Sequence, residues 1–368
     1  MESVDVLIVG GGIAGASLGA RLAGGRRAML IESEDLCGRH ATGRSAAFWQ
    51  ASLGGDTPER RLSLASKPMF DMNWPGSPTA LLRPRGGIHL TGPSGEMFDE
   101  ADAMAGEYRI EHLDRAELDA MLPGLRQQWT GAWYEATCAD IDVAAFHAAC
   151  LAAFRRQGGR VHTDAGLQSA RRSDGRWIVE TGSGQVEAGI IVNAAGAWGD
   201  DVAARCGVRA LGLQPKRRTV VQLRIGRTGL RDLPFVTDLH ASFYFKGEGD
   251  NSVWVCPLDE TDTDPCDAAP EELAVAQAID RFERVVDWRV EAVERKWAGL
   301  RSFAPDRLPV YGFDPRCEGL FWFAGQGGFG IQTAPAAARL AAQLLLGLPR
   351  DAMTADLDAA LYAPARFG

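Results

Sequence analysis

Three glycines close to the N-terminus are the first residues whose type and spacing could do chemistry. Gly10, Gly12 and Gly15 stand in the pattern Gly-x-Gly-x-x-Gly. This spacing allows a tight turn and a close approach of the backbone to a pyrophosphate, and Gly15 lets a helix pack on the preceding strand. Glu32 lies 22 residues after Gly10, near the offset at which an acid binds ribose hydroxyls and disfavours a 2′-phosphate. The pattern predicts a dinucleotide site, the alternative being a strand-to-helix turn without a ligand.

The flanking residues predict the elements that hold these glycines. Residues 4–9 are apolar and β-branched, as in a central strand of a parallel sheet that is buried on both faces. Residues 14–23 favour a helix whose N-terminus would offer N–H groups to phosphates. A second strand, residues 28–31, ends at Glu32. Such a unit does not by itself distinguish FAD from NAD.

Three later segments favour FAD. Residues 37–47 form a polar, glycine-containing loop, and residues 192–198 follow a strand-like run. Residues 325–333 are rich in glycine and precede an apolar helix with Pro335 in its first turn. Their glycines would let the backbone crowd a flat ring, and the N-terminus of the helix at 333–346 would place positive potential beside the flavin C2 carbonyl and N1. The alternative for this segment is a glycine-rich turn before a packing helix.

Together these segments resemble the D-amino-acid oxidase and glycine oxidase (DAO) superfamily, and most of all the bacterial FAD-dependent D-arginine dehydrogenases. The matching stretches keep the family's order and are residues 43–47, 139–142, 192–198, 211–218, 242–244, 297–303 and 326–333. The resemblance implies a mixed α/β fold, in which a Rossmann-like FAD-binding domain of the glutathione-reductase type is interleaved with a mixed-sheet substrate domain. It assigns residues 1–85, 140–213 and 300–368 to the FAD-binding domain, and residues 86–139 and 214–299 to the substrate domain.

The resemblance also implies which residues bind FAD. They are Gly10, Gly12, Ile13, Ala14, Gly15, Glu32, Ser33, Arg44, Ser45, Ala46, Ala47, Ala195, Gly196, Trp198, Gly327, Gly328, Phe329, Gly330, Ile331 and Gln332. Residues 161–165 would pass the adenine half. Residues 299–306 match the stretch in which sarcosine oxidases carry a flavin-linking cysteine, and they contain no Cys. His40 falls near the flavin, and we interpret it as a hydrogen-bonding or partly exposed histidine. We therefore expect non-covalent FAD.

For the substrate, the resemblance implies an amino acid whose carboxylate is fixed while hydride leaves Cα for flavin N5. Arg217 and Arg301 fall at the carboxylate positions, where a guanidinium can donate two parallel hydrogen bonds, and Tyr244 adds a hydroxyl donor. Adjacent residues of an extended segment point to opposite sides, so only one of Arg217 and Arg218 can face the flavin. We assign Arg217 to the flavin side. The alternative is that these arginines form surface or interdomain ion pairs.

The amine side of the substrate would meet the Gly328 carbonyl and the Gln332 side chain, and no obligatory base is needed if the amine is neutral. Two departures from the D-arginine dehydrogenases concern the substrate's side chain. Gly87 stands where the relatives carry an acid that binds a guanidinium. Phe48 and Leu53 stand in a segment where the relatives carry a histidine and a tyrosine lid. We therefore predict a neutral or hydrophobic D-amino acid. A secondary amine of the sarcosine, glycine or proline type, or a 2-hydroxy acid, would use the same clamp.

Composition excludes several other classes. The net charge of -9 argues against a nucleic-acid surface, including an RNA-modifying module, because phosphate binding needs clustered cations. The seven cysteines are scattered without a Cys-x-x-Cys pair, which favours a reducing compartment over disulfides or a metal site. No apolar run reaches membrane-spanning length and no signal-type region begins the chain. We expect a cytoplasmic enzyme. Peripheral contact with the inner membrane and the choice of oxygen or a quinone-type electron acceptor stay open.

Overall fold

Strands form where apolar and β-branched residues run together, and helices form where alanine and leucine recur. The computed structural model describes residues 1–22, 26–52, 57–72, 74, 77, 79–92, 108 and 110–368, to which all statements below refer. The helices of this part are α1 (Ile13–Gly19), α2 (Pro58–Asp71), α3 (Arg115–Met121), α4 (Val143–Arg156), α5 (Gly199–Arg205), α6 (Glu272–Glu283) and α7 (Gly330–Leu346), with short 3₁₀ helices at Gly196–Trp198, Ala359–Tyr362 and Pro364–Phe367.

The first sheet has a parallel centre. Its strands are β1 (Glu2–Val9), β2 (Ala28–Ile31), β9 (Arg160–His162), β10 (Leu167–Ser173), β11 (Arg176–Thr181), β12 (Gly184–Asn193), β19 (Val310–Phe313) and β20 (Leu320–Ala324). β1 pairs in parallel with β2 and β12, and β9 and β20 continue the parallel order outward. The pairs β10–β11 and β19–β20 are antiparallel. This is the buried parallel sheet that the first apolar run predicts.

Alternate residues of β1 enter two different parts of the core. Ile8 lies in a cluster with residues of α1, α4 and α7, such as Phe154 and Leu340. Leu7 lies on the opposite face with Trp177 and Trp322. Because successive side chains of a strand point to opposite faces, both faces of β1 are covered by protein. The glycine turn that follows β1 is therefore anchored in the most buried part of the fold.

The second sheet is mostly antiparallel. Its strands are β5 (Gly87–Thr91), β6 (Ile110–Leu113), β7 (Gly131–Glu135), β13 (Gln214–Ile225), β14 (Phe235–Asp238), β15 (Tyr244–Gly247), β16 (Ser252–Cys256), β17 (Thr261–Asp262) and β18 (Val290–Phe303). A small sheet of β3 (Phe48–Trp49), β8 (Ala139–Ile141) and β4 (Leu82–Pro84) accompanies the two large ones. The mixed α/β fold class predicted from the sequence is confirmed.

The distribution of strands bears on the predicted domains. Every strand of the first sheet lies within residues 1–85, 140–213 or 300–368, and the strands of the second lie within 86–139 and 214–303. The exact division into two domains stays a prediction. Among the described residues, no helix combines the length and the apolar character that crossing a membrane requires.

Local helix signals were predicted with mixed success. α4 ends at Arg156, and Asp142 caps it by accepting a hydrogen bond from the Ala145 N–H at 2.9 Å. α7 begins at Gly330, three residues earlier than the predicted 333. Pro335 therefore lies in its second turn rather than its first. The early start continues the helix directly from the glycine-rich segment.

Candidate active site

The glycine turn is sterically fixed. Gly10 has φ +111°, and a Cβ on it would lie 2.5 Å from the Ala194 carbonyl oxygen of the neighbouring strand end. A Cβ on Gly15 would lie 2.0 Å from the Gly10 carbonyl oxygen. Neither position has room for a side chain, so the turn brings the backbone against β12 and packs α1 tightly on β1. This is the close backbone approach that a pyrophosphate site requires.

Glu32 lies at the end of β2 and faces the same turn. Its carboxylate accepts hydrogen bonds from the Gly11 N–H at 2.7 Å, the Glu34 N–H at 3.0 Å and the Ser33 hydroxyl at 3.0 Å. Because two of these donors are backbone groups, the position of the carboxylate is set by the fold. An acid held there can receive the hydroxyls of a ribose, as the 22-residue spacing predicts.

His147 supports the turn and was not predicted from the sequence. Its Nε2 donates to the Gly11 carbonyl oxygen at 2.8 Å. Burial lowers the pKa of this imidazole, whereas the hydrogen bond to Gly11 and the charge of Glu32 act in the opposite direction. A neutral donor thus satisfies a carbonyl inside the glycine turn. Its signal in the sequence is weak, because a single histidine on an apolar helix is usually a core residue.

A cavity of about 400 Å³ runs from this turn to the second sheet. The predicted FAD residues that line it are Gly10, Gly12, Ile13, Ala14, Glu32, Ser33, Arg44, Ser45, Ala46, Ala195, Gly196, Trp198, Gly327, Gly328, Gly330 and Ile331. Four others, Gly15, Ala47, Phe329 and Gln332, are not among its lining residues. Gly166 and Leu167 line it instead of the predicted 161–165. A side-chain-free turn, an acid at the ribose offset and a glycine-rich far wall fit FAD.

Two polar residues of the cavity wall already have protein partners. Arg44 donates to the carbonyl oxygens of Ala268 at 2.9 Å and Ala298 at 3.0 Å, and it pairs with Asp267. His40 Nε2 lies 2.8 Å from the Glu34 carboxylate, and its ring lies 4.6 Å from that of Trp198. Arg44 therefore ties the cavity wall to residues 267–268, which the sequence did not indicate.

The far end of the cavity holds an arginine without a partner. No described residue forms a hydrogen bond or an ion pair with the Arg301 side chain, and its guanidinium lies against Gly328, where a Cβ would be 2.5 Å from Nη1. Burial, followed by the charge of nearby Arg218, lowers the pKa of Arg301 to about 10. The group is thus still a cation at neutral pH. An enclosed, unpaired guanidinium facing a cavity is suited to bind an anion.

The second arginine is Arg218, and the assignment of Arg217 to the cavity is wrong. In the antiparallel pairing of β13 with β18, Lys216 lies opposite Arg301, so Arg301 shares a face with residues 216 and 218. Arg217 lies opposite Leu300 and forms an ion pair with Glu271. Arg218 lines the cavity and donates to Glu260 at 2.9 Å, while its Nε is buried without a partner. The register between β13 and β18 determines which of the two arginines faces the cavity. The local sequence around residues 217 and 218 does not contain this information.

Tyr244 lies beside this pair of arginines. It lines the cavity on β15, and burial raises the pKa of its hydroxyl well above the ordinary value, so it stays a neutral donor. Its ring lies 5.6 Å from that of Phe48 and 5.5 Å from that of Phe235. Phe48 and Phe235 are themselves 4.5 Å apart. Leu53, which we expected beside Phe48, lies outside the described residues.

Gly328 and Gln332 differ in their placement. Gly328 lines the cavity next to Arg301. Gln332 is buried, its Oε1 accepts from the Gln50 N–H at 3.3 Å, and its Nε2 has no hydrogen-bond partner. The expected contact of Gln332 with the substrate amine stays a prediction.

Gly87 has an acid directly across the sheet, yet that acid is not free. The Cα atoms of Gly87 and Glu135 are paired between β5 and β7. Glu135 is fully buried, and its two oxygens accept hydrogen bonds from Ala51, Ser52 and Thr137. A cationic substrate side chain would find this carboxylate already satisfied. Glu135 therefore does not replace the acid that is missing at residue 87 as a partner for a cationic substrate side chain.

Comparisons with known proteins identify the family and the fold. Residues 5–344 match the family model of FAD dependent oxidoreductase, DAO. The chain is 26% identical to an opine oxidase subunit of Agrobacterium tumefaciens (strain Ach5), over 89% of this chain and 90% of that protein. It is 25% identical to glycine oxidase of Geobacillus kaustophilus (strain HTA426), over 93% and 92%. The fold is similar to that of L-proline dehydrogenase from P. horikoshii, with a TM-score of 0.85, 19% identity and coverage of 100% and 98%.

Proposed function

The chain belongs to the DAO family of FAD-dependent oxidoreductases, and on that premise we propose that it oxidises the Cα–N bond of a neutral amino acid, with the D-enantiomer as first candidate. The observation that carries the proposal is Arg301, an enclosed cation without a partner among the described residues. A substrate carboxylate would neutralise it. It would also offset the repulsion between Arg301 and Arg218, because the ion pair with Glu260 neutralises the charge of Arg218 only in part.

The chain's own residues would bind and orient the substrate. Bound FAD would supply the acceptor for the hydride that leaves the Cα–H bond, while the nitrogen gives a proton to solvent and the C=N bond of the imino acid forms. Arg301 and Arg218 would hold the carboxylate, and the neutral Tyr244 hydroxyl would donate to it or to the adjacent group. Fixing the carboxylate at several points holds Cα in one place, which is where positioning lowers the barrier. The product is an imino acid, which water hydrolyses.

The aromatic rings that pack around the cavity residue Tyr244 support a neutral substrate. The rings of Phe48, Phe235 and Tyr244 lie within 5.6 Å of one another, and the carboxylate of Glu135 is saturated by protein donors. An ammonium or guanidinium brought against these rings without an acid would lose hydration and gain little in return. We therefore expect aliphatic or aromatic side chains to be preferred over basic ones.

A second candidate is a glycine-type or secondary amine. Two relatives covered almost end to end by the match are named for glycine and for opines. The carboxylate clamp would serve these amines equally well, and nothing in the pair Arg301 and Arg218 requires a primary amine. The candidates differ in which substrate is oxidised fastest.

Anaerobic reduction of the purified flavoprotein tests the proposal. The panel contains D-Leu, D-Met and D-Phe, their L-enantiomers, D-Arg and D-Lys, then glycine, sarcosine, proline and a 2-hydroxy acid. We expect the loss of visible flavin absorbance to be at least about tenfold faster with the neutral D-amino acids than with D-Arg or D-Lys. Faster reduction by D-Arg or D-Lys would overturn the neutral assignment. Fastest reduction by sarcosine, glycine or proline would establish the second candidate.

A further inference from the structure

Glu135 at the end of β7 is a buried carboxylate that the proposed reaction does not use. It is fully inaccessible to solvent. Its Oε1 accepts from the Ala51 N–H at 2.7 Å and the Thr137 hydroxyl at 3.1 Å. Its Oε2 accepts from the Ser52 hydroxyl at 2.5 Å and the Ser52 N–H at 3.2 Å. Three of its four donors therefore belong to two consecutive residues of one segment.

That segment, residues 48–52, is named the mouth segment because its Phe48 packs against Tyr244, which lines the cavity. Phe48 packs against Phe235 and Tyr244, and the Gln50 N–H donates to Gln332. The Arg60 Nε donates to the Ala51 carbonyl oxygen at 2.7 Å. The N–H and the carbonyl of Ala51 thus both have partners, Glu135 for the N–H and Arg60 for the carbonyl. Moving the mouth segment would leave the buried carboxylate without most of its donors.

The surroundings of Glu135 make it dependent on these donors. No arginine or lysine of the described chain forms an ion pair with it. His89, on β5, is half-buried, and desolvation lowers the pKa of its imidazole; its Nε2 lies 3.4 Å from the Ser52 hydroxyl. Cys138 is also buried, and both burial and the Glu135 charge raise the pKa of its thiol. With neutral neighbours and no cation, hydrogen bonds alone offset the cost of burying the carboxylate.

We propose that Glu135 is a positioning residue that fixes the mouth segment against the second sheet and thereby sets the preference for the substrate's side chain. The specificity part rests on the proposed function. Glu135 lies directly across the sheet from Gly87, but its carboxylate binds the protein backbone and not the substrate. The backbone of Ala51 and Ser52 is held in place, and Phe48, which packs against Tyr244, is held with it.

Hydrogen exchange tests the positioning without reference to activity. Glu135→Gln keeps the shape but turns an amide NH2 toward two of the four donors. We expect the amides of Ala51 and Ser52 to exchange at least about tenfold faster in the holoprotein. Asp314→Asn is the control, since Asp314 is a buried carboxylate in another part of the fold. It accepts from the Arg316 N–H at 2.8 Å and from Trp322 at 3.0 Å, and it also pairs with the Arg316 guanidinium at 3.1 Å. Unchanged exchange in Glu135→Gln, or equal acceleration in Asp314→Asn, would refute the positioning role.

Steady-state kinetics test the specificity. In Glu135→Gln we expect the KM for D-Leu or D-Phe to rise about tenfold, with kcat within about threefold and the KM for glycine unchanged, because glycine has no side chain to contact Phe48. An equal rise for glycine and D-Leu would show a general structural effect and overturn the specificity part. Selective loss of D-Arg oxidation would show that Glu135 is a charge partner of the substrate, which also overturns it.

A second variant guards against poor folding of Glu135→Gln. Ser52→Ala removes the donor at 2.5 Å and keeps the carboxylate, so the same changes should appear with smaller size; their absence would contradict the proposal. If the wild-type flavin is reduced by no amine, the proposed function fails. The exchange experiment still decides whether Glu135 holds the mouth segment.

Discussion

The two ends of the cavity are specified in different ways. At the cofactor end, Gly10, Gly15 and Glu32 lie within one β-α-β unit. Gly15 and Glu32 contact the glycine turn itself, and Gly10 contacts the end of the neighbouring parallel strand β12. At the substrate end, Arg218 and Arg301 are 83 residues apart and meet only through the pairing of β13 with β18. Short spacing determines the first end, and long-range strand register determines the second.

This difference has a consequence for mutation. A change in the glycine turn alters backbone geometry that a side-chain movement cannot relieve, because the contacts are between main-chain atoms. A change at the substrate end removes one side chain from a set of donors, while the strands beneath it stay paired. The first should weaken binding of the cofactor itself, and the second should leave a flavoprotein with weakened substrate binding.

Gly10→Ala is expected to have the largest effect. The added Cβ would meet the Ala194 carbonyl oxygen at 2.5 Å, and overpacking of this kind costs about 1–3 kcal/mol, enough for a loss of FAD affinity on the order of 100-fold. The measurement is the ratio of flavin to protein after purification, followed by titration with FAD.

Gly184→Ala is the matched control for this substitution. Gly184 has φ +118°, close to the +111° of Gly10, but a Cβ there meets no atom within 4 Å. It should lose about 1–2 kcal/mol of stability from backbone strain alone and keep its FAD. Equal loss of FAD in both variants would show that general strain, and not the turn, governs binding.

The sequence could predict the cofactor end because its determinants are local. Gly10, Gly12 and Glu32 line the cavity at the positions that their spacing indicates. His147 was missed because its contact with Gly11 spans 136 residues and involves a backbone carbonyl, for which a side-chain pattern gives no signal. The early start of α7 at Gly330 was missed because glycine weakens a helix pattern.

Arg301→Met is expected to have the next largest effect. Removing the cation should lower kcat/KM for the best substrate by about 30- to 100-fold, because truncating one partner of a buried charge pair costs about 2 kcal/mol or more. FAD content should be unchanged, since the substitution leaves the glycine turn intact. Arg218→Met should cost less, about tenfold, because Glu260 already shares its charge.

Arg217→Met provides the control, because Arg217 pairs with Glu271 on the opposite face of β13. It should change kcat/KM by less than about threefold. If Arg217→Met were as damaging as Arg301→Met, the orientation seen in the structure would be wrong and the choice first made from the sequence would stand.

The substrate end shows what the sequence could not supply. Arg301 and Tyr244 both line the cavity, and the family resemblance indicated them. The choice between Arg217 and Arg218 needed the cross-strand register, since alternation shows that the two differ in direction but not which one faces inward. The saturation of Glu135 needed coordinates as well, because its donors at 51 and 52 lie in a distant segment of the chain.

The smallest expected effect concerns pH and compares one histidine at each end of the cavity, His147 and His89. Burial lowers the pKa of His147 below its ordinary value, so as the pH falls below about 6.5 the unfolded chain takes up a proton before the folded one does. The stability present above that pH is therefore lost on acidification, by at most about 1.4 kcal/mol per pH unit. His147→Gln keeps a donor near the Gly11 carbonyl and should reduce this loss between pH 7 and 5.5, as measured by urea unfolding of the holoprotein.

His89→Gln at the substrate end gives the comparison. Burial also lowers the pKa of His89, so this variant should likewise flatten the dependence of stability on pH. FAD affinity should distinguish the two variants, because of these two histidines only His147 bonds to the glycine turn. We expect the FAD affinity of the wild type to decline between pH 7 and 5.5 as His147 becomes protonated. His147→Gln should weaken this decline, and His89→Gln should leave it unchanged. If both variants changed the pH dependence of FAD affinity alike, protonation at the substrate end would affect the cofactor end. The two ends would then differ in how the sequence specifies them but would not be electrostatically independent.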